Sequence, residues 1–173
     1  MKTLEDFIME SIIDEAKIQP EETVNVKEGK NFVDVKAKVI KLTGDVKYAE
    51  VYIQKDSYVE SIDFSGITAQ DLYFCAEQCN KLKSIVGGEG ERIQVRIRKN
   101  TNLESVDISK YNSFGNDAQP GQATYIDSNK NLKLSDKDLP KMVTDKHGLE
   151  IDAGVKYSRS NGMTGKNKLQ ENK

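Results

Sequence analysis

A chain of 173 residues suits one domain, or one domain with a tail. Apolar residues make up only 36% of it, which confines the core to part of the length. The formal net charge of −2 leaves no electrostatic footprint for nucleic acid or an anionic membrane. No apolar run approaches the roughly 20 residues of a span, and the N-terminus lacks the unbroken apolar stretch of a signal peptide.

Residues 3–17 have the periodicity of an amphipathic helix. Leu4, Phe7, Ile8, Ile12 and Ala16 recur at helical spacing, Thr3 is placed to cap the start, and Glu5 and Asp6 occupy the acid-favouring first turn. The narrow stripe of Leu4, Phe7, Ile8 and Ile12 suits a groove on a partner. Pro20 ends the helix, and 20–23 reads as a linker.

The next segment repeats. Apolar-x-apolar cores begin at residues 40, 51, 62, 85, 95 and 106, in steps of 11, 11, 23, 10 and 11. Val59-Glu60-Ser61-Ile62-Asp63-Phe64-Ser65 and Leu103-Glu104-Ser105-Val106-Asp107-Ile108-Ser109 match almost residue for residue, and Leu82-Lys83-Ser84-Ile85 starts the same way. Each unit offers a short strand that cannot bury its inner face alone, so stacked neighbours must share a core. Ile40, Leu42, Val51, Ile53, Ile62, Phe64, Ile85, Val95, Ile97, Val106 and Ile108 are the expected interior. The longest step contains 68–79, where Leu72, Cys75, Ala76 and Cys79 stand at helical spacing. The expectation there is a short helix capped by Thr68, with both cysteines buried, reduced and metal-free.

The run Cys79-Asn80-Lys81-Leu82-Lys83-Ser84-Ile85 resembles the Cys-x-x-Leu-x-x-Ile signature of BspA-type leucine-rich repeats, over roughly residues 47–110. The half-length units, and Gly87 where an apolar residue is expected, depart from that pattern. The expected fold is therefore α/β: a short, irregular leucine-rich-repeat-like solenoid, rich in strand with one or few short helices. It carries an N-terminal helix and an extended C-terminal region. The boundaries are 1–20, 24–112 and 113–173. In the last part, Ala123–Ile126 and Leu132–Leu134 suggest a hairpin, Leu149, Ile151 and Val155 a further strand, and residues from Lys156 onward a flexible tail.

Candidate chemistry is sparse. Gly87-Gly88-Glu89-Gly90 and Gly162-Met163-Thr164-Gly165-Lys166 lack phosphate-loop spacing, and the first reads as a wide turn. Asp127-Ser128-Asn129-Lys130-Asn131 begins like a calcium loop, but Leu132 occupies the glycine position and Asp138 the final glutamate position. Two cysteines and one histidine, His147, remove most routes to metal ligation, and no catalytic triad or carboxylate pair is apparent. No cofactor and no enzymatic activity are expected. The outward strand positions Lys41, Tyr52, Asp63, Val86, Arg96 and Asp107 form a mixed row of the kind leucine-rich repeats use to bind proteins.

The opening Met1-Lys2-Thr3-Leu4-Glu5-Asp6-Phe7-Ile8-Met9-Glu10-Ser11 resembles the capsid-targeting segments of internal head proteins of T-even-type tailed bacteriophages. Ile8-Met9-Glu10 is similar to the hydrophobic-x-Glu pattern of head-maturation cleavage. That resemblance implies a non-enzymatic structural or cargo protein, made in the host cytoplasm and carried in the virion. Its partners would be capsid, portal or neighbouring subunits, with a homo-oligomer as one form and no nucleic acid or membrane. The alternative is a cytoplasmic binding module, such as a phage inhibitor of a host enzyme.

Overall fold

A computed structural model describes residues 3–5, 17–115, 124–140, 142–143 and 149–151. Its strands are β1 (Gln19–Asn25), β2 (Gly29–Val33), β3 (Ala37–Ile53), β4 (Ser61–Glu77), β5 (Ser84–Val86), β6 (Glu89–Arg98), β7 (Ser105–Asp107), β8 (Tyr111–Phe114), β9 (Thr124–Asp127), β10 (Met142–Val143) and β11 (Leu149–Ile151). A short 3-10 turn spans Asp136–Asp138. All strand pairings are parallel. Parallel neighbours need a long return path. Here the rest of each coil supplies it, and the chain is a solenoid of stacked coils.

Each coil has two arms. In the first, Ile40, Ile62, Ile85 and Val106 stack directly on one another. In the second, Val51, Phe74 and Val95 do the same. The two arms share one core, since Phe64 of the first arm stacks on Phe74 of the second with ring centroids 4.8 Å apart. All eleven residues expected to form the interior are buried. The half-length units of the sequence are thus the two arms of coils; successive coils are offset by 21 to 23 residues in the middle of the stack, as in the Cys79–Asn100 and Ser61–Ser84 separations, by 18 and 20 from β1 and β2 to β3, and by 29 from β6 to β9. Strands β9 to β11 carry the sheet beyond residue 112.

Residues 68–79 are not helical. Residues 68–77 complete β4, paired with β3 on one side and β6 on the other. The 3–4 spacing of Leu72, Cys75, Ala76 and Cys79 competes with the twofold alternation of Leu72, Phe74 and Ala76, all buried. Hydrogen bonds to strands on both sides, and the aromatic pair Tyr73-Phe74, favour the strand. Cys79 is buried beyond the strand end, whereas Cys75 points outward and is only half-buried, so the cysteines share no face. Burial pushes both thiols up to about 11.

The return from second arm to first is a repeated corner. Gln78, Lys99 and Ser128 adopt left-handed φ of 56°, 56° and 61°. The next residues, Cys79, Asn100 and Asn129, turn inward and are buried. Their carbonyls accept from the amides of Leu82, Leu103 and Leu132. The Asn100 side chain accepts from Cys79 N (2.8 Å) and donates to Ala76 O (2.9 Å). Asn129 accepts from Asn100 N (3.0 Å) and donates to Ile97 O (2.8 Å). The expected hairpin around 128–131 is instead this corner, with β9 parallel to β6 and β11. The glycine run 87–90 is the opposite corner, where Cβ atoms on Gly88 and Gly90 would collide with the carbonyls of Ile67 and Ala69.

One column alternates in charge. Backbone amides of Glu60, Lys83, Glu104 and Lys133 donate in turn to the carbonyls of Lys38, Glu60, Lys83 and Glu104. Glu60 carries ion pairs to Lys38 (3.7 Å) and Lys83 (2.7 Å). The hydrogen bond from Lys83 holds the Glu60 carboxyl below its ordinary range.

The expected helix over 3–17 lies, apart from Thr3–Glu5 and Lys17, outside the described residues, as do His147, the 162–166 glycine segment and the tail from 156.

Candidate functional site

The residues proposed as a single outward row fall on two different surfaces. Lys41, Asp63, Val86 and Asp107 align on the first arm. Tyr52 and Arg96 belong to the second, in the row Phe32–Tyr52–Cys75–Arg96–Tyr125. A coil bends between its arms, so a twofold alternation read through the bend assigns both sets to one face. Of the N-terminal stripe, Leu4 is 76% exposed, and Phe7, Ile8 and Ile12 lie outside the described residues.

In the first-arm row the aspartates make local contacts and Lys41 a contact to the neighbouring coil. Asp63 accepts from the amide of Ser65 (2.9 Å) and Asp107 from that of Ser109 (3.1 Å), each within its own coil. The hydrogen bond from Ser65 leads in depressing the Asp63 pKa. Lys41 pairs with Glu21 of β1 at 3.0 Å.

The second-arm surface is tied from coil to coil. Arg92 grips Asp71 of the preceding coil through two nitrogens, at 2.5 and 2.8 Å, and Arg98 grips Asp127 of the following one, at 2.5 and 2.9 Å. Arg96 Nε donates to Glu77 Oε1 at 3.1 Å. The Arg98 guanidinium lies 4.7 Å from the centre of the Tyr125 ring, with Arg96 at 5.8 Å. Glu50, almost fully buried, accepts from the hydroxyls of Tyr48 and Tyr52 and faces Lys30 at 4.0 Å. Burial, reinforced by the bond to Glu50, pushes the Tyr52 hydroxyl above its ordinary range. Phe32 stacks on Tyr52 at 5.1 Å, and Tyr52 tilts against Tyr73 at 5.5 Å.

Sequence reasoning missed Phe32, Glu50, Tyr73, Arg92, Arg98 and Tyr125 on this surface. Their signal was present: Lys30-x-Phe32, Tyr48-x-Glu50-x-Tyr52, Asp71-x-Tyr73-x-Cys75-x-Glu77 and Arg92-x-Gln94-x-Arg96-x-Arg98 are outward phases, and in the last three the inward phase between them is apolar.

The carboxylate and amide of the calcium-like loop are engaged elsewhere, Asp127 by Arg98 and Asn129 by the corner backbone. Among the described residues, no three His, Cys, Asp or Glu side chains are grouped to hold a metal ion. No helix there is long and apolar enough to cross a membrane. The chemistry this arrangement supports is recognition: aromatic rings and guanidinium groups held at fixed spacing on a rigid sheet.

Comparison of the chain with protein-family models, with curated proteins and with solved structures returned no match.

Proposed function

We propose that the chain is a non-enzymatic binding protein of a tailed-bacteriophage particle. It is made in the host cytoplasm and carried in the head, where its second-arm surface meets a capsid, portal or neighbouring subunit. The observation that carries the binding role is the cross-coil tying of Arg92, Arg96 and Arg98, with Tyr52 stacked on Phe32 of the first coil. Side chains already immobilised lose little entropy on association, so a surface built this way gains more from each contact. The N-terminal resemblance supports the setting. The recurrence of Cys79, Asn100 and Asn129, each three residues before a leucine, supports reading the solenoid as an irregular relative of BspA-type leucine-rich repeats.

Mass spectrometry of purified particles tests this reading. It expects the protein at fixed copy number, and an Arg96→Glu variant that folds normally but is depleted from particles. Absence from particles, together with stoichiometric capture of a host protein, would replace the virion role with the cytoplasmic one.

A further inference from the structure

The first coil ends the stack, and its two strands finish differently. Among the described residues, β1 and β2 pair only with β3, so each leaves one backbone edge open. Open edges invite pairing unless they are guarded. The β1 edge is guarded by Pro20, which donates no hydrogen bond, and by the adjacent charges of Glu21 and Glu22. The β2 edge has no proline and a single charge, Lys30, and it bears Phe32, 76% exposed.

Backbone direction is fixed at this edge. The Val33 carbonyl points to β3, where it accepts from Gln54 N at 2.9 Å. Peptide groups alternate sides along a strand. The amides and carbonyls of Lys30 and Phe32 therefore face the open edge. The side chains of the same two residues stand together on the outward surface, opposite Glu50 and Tyr52 of β3. On that inner side, Lys30 meets the Glu50 carboxylate at 4.0 Å and Phe32 stacks on Tyr52 with a 19° interplanar angle. On the outer side, one face of the Phe32 ring and the Lys30 ammonium, 64% exposed, repeat the same demand.

We propose that the β2 edge docks an extended segment of a partner protein by strand addition. The segment carries an acid-x-aromatic pattern, its carboxylate on Lys30 and its ring on the free face of Phe32. Lys30 and Phe32 already pair with Glu50 and Tyr52 on their inner side, so the chain itself displays the recognised pattern in Glu50-Val51-Tyr52. Main-chain hydrogen bonds to Lys30 and Phe32 hold the segment, and the two side chains select it. The β2 edge lies at the end of the row that also carries Arg96, and the proposal does not rest on the virion reading.

The probe is a labelled synthetic peptide copying residues 47–53, titrated into the full chain. The expected result is saturable one-to-one binding with Kd below about 1 mM, with hydrogen exchange at the Lys30 and Phe32 amides slowed when the peptide is bound. Phe32→Ala, which gives up the stack on Tyr52 but keeps the fold as judged by an unchanged circular dichroism spectrum, should weaken binding about tenfold. Replacing the peptide's glutamate with lysine should weaken it several-fold, and N-methylation along its pairing edge should abolish it. Binding unchanged by Phe32→Ala, binding that survives N-methylation, protection that appears at the β10–β11 end, or no saturation at all overturns the proposal. A free protein that dimerises through Phe32 overturns it too, because the occupant is then a second copy.

Discussion

The two arms of this solenoid share a core and a stacking register, yet their outer surfaces are built on different rules. On the first arm, exposed Lys–Glu pairs link the coils, as Lys41 does to Glu21 and Glu60 to Lys38 and Lys83, while Asp63 and Asp107 bond to a serine two residues away. On the second arm, Arg92–Asp71 and Arg98–Asp127 join one coil to another through two bonds each and are better shielded, while Tyr48 and Tyr52 converge on Glu50 of their own strand. Single contacts between exposed lysines and glutamates leave those side chains mobile. Bidentate guanidinium–carboxylate pairs fix theirs and hold a pattern several coils wide.

The largest expected effect breaks both arms together. Phe64→Ala removes the ring that joins them through Phe74 and should cost about 3–5 kcal/mol in denaturant unfolding. A loss under about 1 kcal/mol would show that the arms do not depend on one core.

Next is the corner that carries the second arm into the first. Asn100→Ala leaves the amide of Cys79 and the carbonyl of Ala76 buried without their side-chain partner. At about 1–3 kcal/mol for a group so stranded, the midpoint should fall markedly, while Asn102→Ala at the exposed neighbour should stay within about 0.5 kcal/mol.

The contrast between surfaces is sharpened by a double-mutant cycle. Arg98→Ala with Asp127→Ala should show a coupling of about 1 kcal/mol, since the pair is bidentate and mostly shielded. Asp107→Ala with Ser109→Ala on the first arm should show less than about 0.5 kcal/mol. Equal couplings would erase the distinction.

The smallest effect is alkaline. Burial raises both thiols to about 11, so in the folded chain they stay protonated where unfolded cysteine, near pKa about 8.5, has ionised. Their contribution is complete below that lower value and is lost as pH climbs toward about 11. At pH 8, alkylation of native protein should run about two orders of magnitude slower than after unfolding. Cys75, on the outer surface, should be the faster of the two.

What could be read from the sequence was the inward phase. Ile62, Phe64, Val106 and Ile108 betray themselves because burial demands apolar residues at every coil. The corners were harder. Asn100 and Asn129 hold the position that Cys79 holds one coil earlier, but a buried amide serving backbone groups has no hydrophobic signature, and exposed Asn80, Asn102 and Asn131 surround them. Residues 68–79 were misread because four apolar residues at helical spacing also fit an alternating strand, and only the neighbouring coils decide between them. The second-arm surface was half legible. The outward positions of Tyr52 and Arg96 lie on it, while Lys41, Asp63 and Asp107 were grouped with them because the bend between arms leaves no mark in a twofold pattern.

The column Lys38, Glu60, Lys83, Glu104, Lys133 bears on how such a chain finds its order. Beside its three middle members, Glu60, Lys83 and Glu104, the following serine and β-branched residue are nearly identical from coil to coil, so apolar packing there scarcely tells one neighbour from the next. Charge does. Adjacent members of the column attract, as the two ion pairs of Glu60 show, whereas members two coils apart have the same sign. A coil that skipped its neighbour would set Lys38 against Lys83, or Glu60 against Glu104. The column thus works as a parity check on assembly: it penalises the one error that the repetition of the core would otherwise let pass.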